Sequence, residues 1–409
     1  MASITVRLTP RLAEVDSARW NALLGPEDNP FVDWRFLCAL EEAGCVSADA
    51  GWVPLHLCAY RGRDLVAAAP AYIKGDSEGD FGRDWDLAAA AERAGLPYYP
   101  KLVIGVPFTP VTGRRLLIRP GEDEAAASEA IVGAALQLIA GKAGEPLGGL
   151  HVLFPTADEA TRLAELGLIR RVGIQYHFRN PGYRSTDEFY ARFTSKRRHA
   201  LRREMAAPAR QGITLRTVRG DEIAKAPERY ADLVHTLHRA TVDKLLWGRR
   251  WLNQAFYRRL LATMPAPLEV VVAEREGRVI AGAFNVRKLD GEPRLFGRYW
   301  GCLPEAEGTE FLHFNVCYYH SIAECITHGV RVFEGGAGGE HKIARGFEPA
   351  ETYSALRFRH AGLDQAVRRH VLAEASQREA ALARWREESP LLKPFSPRGQ
   401  EFDKDSDKS

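Results

Sequence analysis

Residues able to do chemistry are concentrated in one stretch, FEGGAGGEHKIARGFEPAETYSALRF, which covers Phe333 to Phe358. A short apolar run leads into five residues that contain four glycines, and glycine lets the backbone approach a ligand closely. Ionisable residues surround these glycines. Lysine and arginine supply positive charge, histidine exchanges a proton near neutral pH, and a glutamate can accept one. The stretch therefore predicts a site for an anionic, reacting substrate. Its members are Glu334, Gly335, Gly336, Gly338, Gly339, Glu340, His341, Lys342 and Arg345.

Two familiar glycine motifs do not fit this stretch. A phosphate-binding P-loop places lysine directly after its last glycine, but Glu340 and His341 come before Lys342 here. The dinucleotide fingerprint G-x-G-x-x-G is broken where His341 replaces the third glycine. A simpler interpretation stays open, in which the glycines form a turn between two strands and the charges are solvated.

A second feature is a basic segment between Arg179 and Arg219, which holds eleven lysines or arginines and three acids. At helical spacing, one stripe of basic side chains forms on a predicted helix spanning 192–203. Such a stripe attracts phosphates, although it is also compatible with a solvated face that has no partner. The stripe contains Arg192, Lys196, His199 and Arg203, with Arg198 and Arg202 beside it.

Two similar sets of elements are predicted to carry these features. Apolar runs in VPLHLCAY and DLVAAAPAYIK flank the turn residues Arg61 to Arg63, which predicts a hairpin. LEVVVAEREGRVIAGAFNVRK repeats the pattern around Glu276 and Gly277. In each set a strand, a helix (123–140 or 309–328) and another strand follow. Further helices are predicted in NPFVDWRFLCALEEAG, from the cap Asn29 to the stop Gly44, and over 84–94.

The whole chain has the composition of a globular protein, with 409 residues, 45% hydrophobic, 27% charged and a net charge of +3. Its length predicts two domains. The longest apolar run, Leu65 to Ile73, is too short to span a bilayer, so we expect a cytoplasmic protein. The six dispersed cysteines predict reduced thiols, and no metal site is expected, because the histidines at ligand spacing lie in an apolar helix. The polar tail EFDKDSDKS is predicted to be disordered.

Several long segments together resemble a bacterial family of acyltransferases related to the FemABX aminoacyltransferases. The resemblance covers residues 1 to about 375, and its segments include NPFVDWRFLCALEEAG, GLPYYPKLVIGVPFTPVTGRRLL, SKRRHALRRE and FEGGAGGEHKIARGFEPAETYSA. It implies an α/β fold of two GNAT-like domains in tandem. The expected ranges are 1–165 and 166–360, then a C-terminal helix over 361–390 and a polar tail over 391–409.

The resemblance also implies an activity. FemABX enzymes transfer an amino acid from aminoacyl-tRNA to an amine of a peptidoglycan precursor, and GNAT enzymes use acyl-coenzyme A. We therefore expect an N-acyltransferase with either donor as co-substrate, no bound cofactor, and a small molecule or a cell-wall precursor as acceptor. The alternative is a non-catalytic module that binds tRNA or another polyanion through the basic helix 192–203.

These expectations assign a role to each candidate residue. Glu334 or His341 is the expected base. The expected substrate-binding residues are Glu340, Lys342, Arg345, Tyr299 and Trp300. The expected contacts for the donor phosphates are Lys196, Arg197 and Arg198, with Gly113, Arg114 and Arg115 in the first domain. We further expect the basic helix and the stretch from His341 to Arg345 to line one shared pocket.

Overall fold

The structure is a computed structural model that describes residues 3–142, 144–244, 249–389 and 391, without the side chains of Glu340, Arg386 and Glu388. The predicted polar tail over 391–409, including the segment EFDKDSDKS that is predicted to be disordered, lies outside these ranges apart from Leu391. Fifteen strands are formed in the described part of the chain. They are β1 Ile4–Thr9, β2 Trp52–Pro54, β3 His56–Arg61, β4 Asp64–Ala69, β5 Ala71–Lys74, β6 Lys101–Ile104, β7 Leu117–Ile118, β8 Gly149–Leu153, β9 Ile169–Arg179, β10 Ile213–Arg219, β11 Leu268–Arg275, β12 Arg278–Lys288, β13 Arg294–Cys302, β14 Val332–Glu334 and β15 Glu348–Phe358.

Thirteen α-helices accompany these strands within the same described ranges. They are α1 Ser17–Asn21, α2 Trp34–Glu42, α3 Trp85–Arg93, α4 Glu124–Ile139, α5 Ala157–Glu165, α6 Thr186–Tyr190, α7 Ser195–Arg210, α8 Gly220–Lys225, α9 Pro227–Val242, α10 Gln254–Thr263, α11 Leu312–Phe314, α12 His320–Thr327 and α13 Ala361–Glu388. The basic helix of the sequence analysis is α7. The predicted C-terminal helix is α13.

Most strands join one sheet of eleven strands in the order β10-β11-β12-β13-β14-β9-β15-β8-β6-β5-β2, and a smaller sheet has the order β1-β3-β4-β7. The large sheet is continuous because β15 lies between strands of the two halves. Ser354 of β15 pairs with Leu153 of β8 on one side and with Arg171 of β9 on the other. The predicted boundary at 165/166 falls between α5 and β9, and the division into two domains stays a prediction.

Both predicted hairpins are confirmed. β3 and β4 pair antiparallel with their turn at Arg61–Asp64, and β11 and β12 pair antiparallel around Glu276 and Gly277, which both have positive φ angles. Alternate residues of β11 enter different cores. Val270 and Val272 belong to the core that also holds α2, α9 and α10 residues, whereas Val271 and Ala273 pack with Leu312 and Val316. These two cores therefore lie on opposite faces of the sheet.

Two predicted helices are interrupted. In the stretch from Asn29 to Gly44, Asn29 caps a short 3-10 turn over 30–32, and Asp33 then caps α2 by accepting from the backbone N–H of Arg35. The sequence pattern predicts one helix here, whereas the cap at Asp33 begins a new helix after the 3-10 turn. In the predicted helix 309–328, a π-helical turn over 315–319 lies between α11 and α12. Such π turns are frequent at functional sites.

Candidate active site

The site begins where the parallel strands β13 and β14 part. They pair at only three positions, of which the last joins Phe296 to Glu334. Beyond this pair, residues 297–300 of β13 face the beginning of the glycine segment, which we define as residues 335–339. The space between them is part of a cavity of about 290 Å³, which we call the through-sheet cavity.

This cavity receives side chains from both faces of the sheet. Phe108, Trp251 and Tyr299 belong to the core on the α9 and α10 face, whereas Trp300 and Cys317 pack on the opposite face. The parting of the strands therefore leaves a cavity that side chains from both faces of the sheet line. Tyr299 and Trp300, predicted as substrate-binding residues, both line it.

An aromatic wall that the sequence analysis missed closes one end of the cavity. Phe108 stacks on Trp251 at 5.5 Å between ring centroids, and Phe81 contacts Trp251 edge to face at 5.9 Å. Phe81 and Phe108 both have φ angles near +60°, which is uncommon for residues with a Cβ atom and costs roughly 1–3 kcal/mol each. Because the three residues lie far apart in sequence, no local pattern indicates that they meet.

Tyr318 and His341 form a pair beside the other end. The π turn carries Tyr318 into the cavity wall, and its hydroxyl lies 3.1 Å from Nε2 of His341. A Cβ atom at residue 339 would lie 2.6 Å from the imidazole, so Gly339 leaves room for this ring. Partial desolvation lowers the pKa of His341, and the charges of Lys342 and Arg345 lower it further, so the ring is neutral at pH 7. Burial raises the pKa of Tyr318, which keeps its proton.

Lys342 shapes the glycine segment. Its ammonium donates to the carbonyl oxygens of Gly336 at 2.6 Å and Gly338 at 2.7 Å, and only 2% of the residue is exposed. Burial lowers the pKa of Lys342 to about 8. Two of its three N–H donors are thus engaged by carbonyls of its own loop, and its predicted role in binding a substrate anion stays a prediction. Glu340 begins the adjoining 3-10 helix, and its side chain lies outside the described part of the structure.

Arg345 and Arg197 meet at one carboxylate, which the sequence analysis did not single out. Glu204 accepts from Arg197 at 2.9 Å, from Arg345 at 3.0 Å and from the hydroxyl of Tyr319. Arg197 also donates to the carbonyl of Ala344 at 2.7 Å, and Arg345 donates to that of His341 at 2.8 Å. We call Glu204, Arg197, Arg345 and Tyr319 the anchor cluster. This cluster joins the basic helix α7 to the stretch from His341 to Arg345. It is an internal ion-pair cluster and not the shared substrate pocket that the sequence predicts.

Other basic residues of α7 stay accessible. Lys196, His199, Arg202 and Arg203 are exposed, and Arg198 is half-buried. Arg202 lies 3.7 Å from the exposed Asp187. Because the other exposed basic side chains remain, α7 still presents a cationic surface. Lys196 and Arg198 thus remain available for a phosphate, whereas Arg197 is held by the anchor cluster.

The predicted phosphate contacts of the first domain are engaged elsewhere. Arg114 donates to Asp28 at 2.8 Å and lies 3.3 Å from Glu27. Arg115 is 1% exposed and donates to the carbonyl of Leu153 at 2.7 Å. A Cβ atom at residue 113 would lie 2.2 Å from Asn29, so Gly113 serves the close approach of two loops. These contacts correct the expectation, because neither arginine is free to meet a phosphate.

Glu334 faces a separate cleft of about 770 Å³, not the through-sheet cavity. Only 2% of the residue is exposed, and burial raises the pKa of its carboxyl to about 7 although Arg294 lies 3.5 Å away. His177 lies 3.8 Å from the other carboxyl oxygen, but burial lowers the pKa of His177 to about 3. The two expected bases, Glu334 and His341, are therefore not brought together.

A further cleft of about 600 Å³ adjoins the through-sheet cavity, since both are lined by Phe81, Pro110 and Ala337. It runs past Gly338 and Gly339 and is bordered by Arg83, Arg171 and Arg378. Arg171 is paired with Glu374 of α13 at 2.7 Å. We call it the arginine cleft, and it gives the cavity a polar extension.

Other site classes find no support in the described ranges. No group of three or more histidine, cysteine or acidic side chains there could hold a metal ion. Cys317 is half-buried beside the cavity, and desolvation raises the pKa of its thiol. None of the helices there is both long and apolar enough to cross a membrane.

Comparison with solved structures shows the fold. FemX superposes with a TM-score of 0.50 at 11% identity, over 87% of this chain and 98% of that chain. A tandem GNAT protein from the clavulanic acid biosynthesis pathway gives a TM-score of 0.43 at 13% identity, over 87% and 98% of the two chains. A conserved protein from Bacteroides thetaiotaomicron gives 0.46 at 11% identity, over 86% and 99%. The fold is the expected tandem GNAT-like α/β arrangement with a C-terminal helix.

Among curated proteins, none matches this sequence. A family model described as peptidoglycan biosynthesis/recognition, by contrast, matches residues 11–393, which is nearly the whole chain. With this match and the FemX-like fold, the protein belongs to the FemAB-like family.

Proposed function

We propose that the protein is an N-acyltransferase that moves an acyl or aminoacyl group from an activated ester or thioester to an amine. The observation that carries this proposal is the through-sheet cavity. Because side chains from both faces of the sheet line it, a donor can enter from one face and an amine from the other. The family description, peptidoglycan biosynthesis/recognition, supports a cell-wall precursor as the acceptor.

The reaction forms one bond and breaks another. The amine nitrogen attacks the acyl carbon, the new C–N bond forms, and the C–O or C–S bond to the donor breaks. Negative charge develops on the acyl oxygen, and preorganised backbone N–H groups stabilise such charge. Residues 297–300 and 335–337 border the opening beyond the last ladder pair, so their backbone can supply these donors.

Proton transfer is assigned to Tyr318 and His341. The amine loses a proton as it attacks, and the departing oxygen or sulfur takes up one from solvent. A neutral His341 at 3.1 Å from the Tyr318 hydroxyl can accept the tyrosine proton while the phenol oxygen accepts that of the amine. His341 is exposed, so it can pass the proton to solvent. Glu334 stays the second candidate base, although it faces a different cleft.

The donor is proposed to carry phosphates, as acyl-coenzyme A and aminoacyl-tRNA do. Of the three phosphate contacts predicted on α7, the exposed Lys196 and the half-buried Arg198 stay accessible. The arginine cleft is the proposed path for the acceptor, because it joins the cavity and is lined by charged and polar side chains.

Mass spectrometry of the purified full chain, after incubation with acyl-coenzyme A or charged tRNA and an amine, tests the activity. Single-turnover transfer should fall about 10²- to 10⁴-fold in Tyr318→Phe and His341→Ala. His328→Ala, a matched control on the exposed surface just after α12, should be unchanged. If neither donor gives an amide product, the proposal is wrong. If His341→Ala transfers normally and Glu334→Gln does not, the base is Glu334.

The alternative is a non-catalytic module that binds tRNA or another polyanion through α7. The exposed cationic surface of α7 favours it. In that case, affinity should fall steeply with salt and should not depend on His341. The two functions differ in one measurement, because only the enzyme loses product formation in His341→Ala while it retains donor binding.

A further inference from the structure

The aromatic wall of the through-sheet cavity takes no part in the proposed proton transfer, and it is a candidate for substrate selection. Phe81, Phe108 and Trp251 all line the cavity. Phe108 is 2% exposed and also packs edge to face on Trp52 at 5.5 Å, whereas Phe81 and Trp251 are only half-buried. Phe81 and Trp251 therefore keep apolar ring surface that no part of the described structure covers. Such rings beside a cavity are typical of ligand sites.

Gly79 leaves the space that the wall needs. A Cβ atom at residue 79 would lie 2.8 Å from the ring of Phe108 and 3.5 Å from that of Trp251. The backbone N–H of Phe108 donates to the carbonyl of Gly79 at 3.1 Å, which holds the two loops together. The rings can approach this loop so closely because residue 79 has no side chain.

A buried ion cluster holds Phe81 in place. The ammonium of the fully buried Lys101 lies 2.8 Å from the carboxylate of Asp80 and donates to that of Asp84 at 2.6 Å. Asp80 also accepts from the backbone N–H of Gly82 at 2.8 Å. Phe81 lies between these two fixed residues, which supports its left-handed backbone conformation. The wall is therefore preorganised, and a preorganised surface loses little freedom when a ligand binds.

The cavity has no counter-charge for a cationic acyl group. Its lining includes no aspartate or glutamate among the described residues, and Arg298 is the one lining side chain there that is charged at pH 7. His313 is neutral, because burial lowers its pKa to about 4. The guanidinium of Arg298 lies over the rings of Phe31 and Tyr299, 5.4 Å from each ring centre. A second cation beside these rings would be repelled by Arg298.

This charge pattern separates the two donor classes. An aminoacyl group carries an α-amine that is largely protonated at pH 7. In the cavity this ammonium would lose water without gaining a carboxylate, which is costly. An acyl group without an amine has no such cost, and its apolar chain gains from contact with the wall.

The volume of the cavity sets the size of that chain. An apolar cavity of about 150 Å³ holds one benzene molecule. The through-sheet cavity has about 290 Å³, and the end beside Tyr318 must also hold the acyl carbon and the amine. The remaining space suits an apolar chain of roughly six to ten carbons. An acetyl group would leave the wall uncovered.

We propose that the transferred acyl group is uncharged and apolar, and that its chain, of about eight carbons, lies against Phe81, Phe108 and Trp251. The donor is then a medium-chain acyl thioester instead of an aminoacyl ester. This inference rests on the proposed function for the chemistry of the carbonyl end. The chain pocket itself can be measured without turnover.

Calorimetry at pH 7 with unreactive primary amides tests the pocket on the full chain. Affinity should rise roughly threefold to fourfold for each CH₂ added from butanamide to octanamide. The α-amino analogue, 2-aminooctanamide, should bind at least tenfold more weakly than octanamide. Trp251→Ala should weaken octanamide binding about tenfold, because it removes part of the wall. Leu372→Ala, which shortens an apolar side chain that is 74% exposed on α13, is the control and should bind as the wild type does.

The inference is overturned if affinity does not depend on chain length, or if 2-aminooctanamide binds as tightly as octanamide. Neither comparison needs a variant. It is also overturned if Trp251→Ala, folded by circular dichroism, binds octanamide as tightly as the control does.

Single-turnover transfer to one amine separates this inference from the proposed function. Octanoyl-coenzyme A should react at least tenfold faster than acetyl-coenzyme A. If the amides bind as expected but no donor gives an amide product, the chain pocket stands and the transferase assignment is wrong. If acetyl-coenzyme A or charged tRNA reacts as fast as octanoyl-coenzyme A, the transferase assignment stands and the apolar-chain inference is wrong.

Discussion

Replacing Glu204 by glutamine should separate the basic helix from the glycine stretch. In the wild type, its carboxylate compensates both Arg197 and Arg345, whose side chains are only 20% and 7% exposed. The amide has no charge and keeps one acceptor oxygen, so at least one guanidinium loses its counter-ion. Breaking such a buried pair typically costs 3–5 kcal/mol. Because Arg197 is partly exposed, we expect the lower value, about 3 kcal/mol.

The measurement is urea unfolding at pH 7, followed by tryptophan fluorescence, with the free energy of unfolding extrapolated to water. Glu14→Gln is the matched control, because Glu14 pairs with Arg11 on the surface at 42% and 75% exposure. That control should lose at most about 1 kcal/mol. A Glu204→Gln loss no larger than the control's would refute the role of the anchor cluster.

The stability that the Glu204 carboxylate contributes should depend on pH. Burial by itself would raise the pKa of Glu204, but the Tyr319 hydroxyl, Arg197 and Arg345 together lower it below its usual value. A lowered carboxyl pKa stabilises the fold above the unfolded value of about 4.3, and this contribution is lost as the pH falls through the folded value. The difference in the free energy of unfolding between wild type and Glu204→Gln should therefore have its full size at pH 7 and become smaller below about pH 4.

Three further predictions concern single features of the site. Lys342→Met should lower kcat at least tenfold with a smaller change in KM, because the carbonyls of Gly336 and Gly338 lose the ammonium that donates to them. An unchanged kcat in single-turnover assays would contradict this. Glu334 has a raised pKa of about 7, so the stability it contributes at low pH is lost as the pH rises from about 4.3 to 7. Between pH 5 and pH 8, the free energy of unfolding of Glu334→Gln should rise by about 3 kcal/mol relative to that of the wild type. A difference that stays constant over this range would disprove the raised pKa of Glu334. Replacing Lys196 and Arg198 with glutamine should raise the KM of a phosphate-bearing donor and reduce the slope of log affinity against log salt by about 1 to 2, whereas Lys225→Gln should change neither.

Local patterns predicted most elements, because caps and turns act within a few residues. The cap at Asn29, the stop at Gly44 and the hairpin turns at Arg61 and Gly277 all lie where the sequence indicated. The glycine stretch was also identified as a site, since its residue types are unusual wherever they fold. The continuous sheet was not, because nothing local to β15 indicates that it pairs with both β8 and β9.

Roles of individual charges could not be predicted, because they depend on distant partners. Gly113, Arg114 and Arg115 resemble a phosphate loop in sequence, but Asp28 lies 86 residues from Arg114 and accepts its guanidinium. The sequence predicts Arg345 and Lys342 as substrate-binding residues, but in the structure Arg345 donates to Glu204 and Lys342 donates to carbonyls of its own loop. A basic side chain can bind a substrate only if no group of the protein already holds it, and the sequence alone does not reveal whether such a group lies beside it.

The place of β15 between β8 and β9 has a consequence for synthesis. β8 is complete at residue 153, whereas the strand that covers its edge ends at residue 358, about 200 residues later. At roughly 5–20 residues per second, a ribosome needs about 10–40 s to make this interval. During that time the buried edge of β8, with Leu150 and Val152, is open to pairing with other chains. The N-terminal half should therefore depend on a chaperone in the cell, and truncation before residue 348 should leave an aggregating fragment instead of a small stable domain.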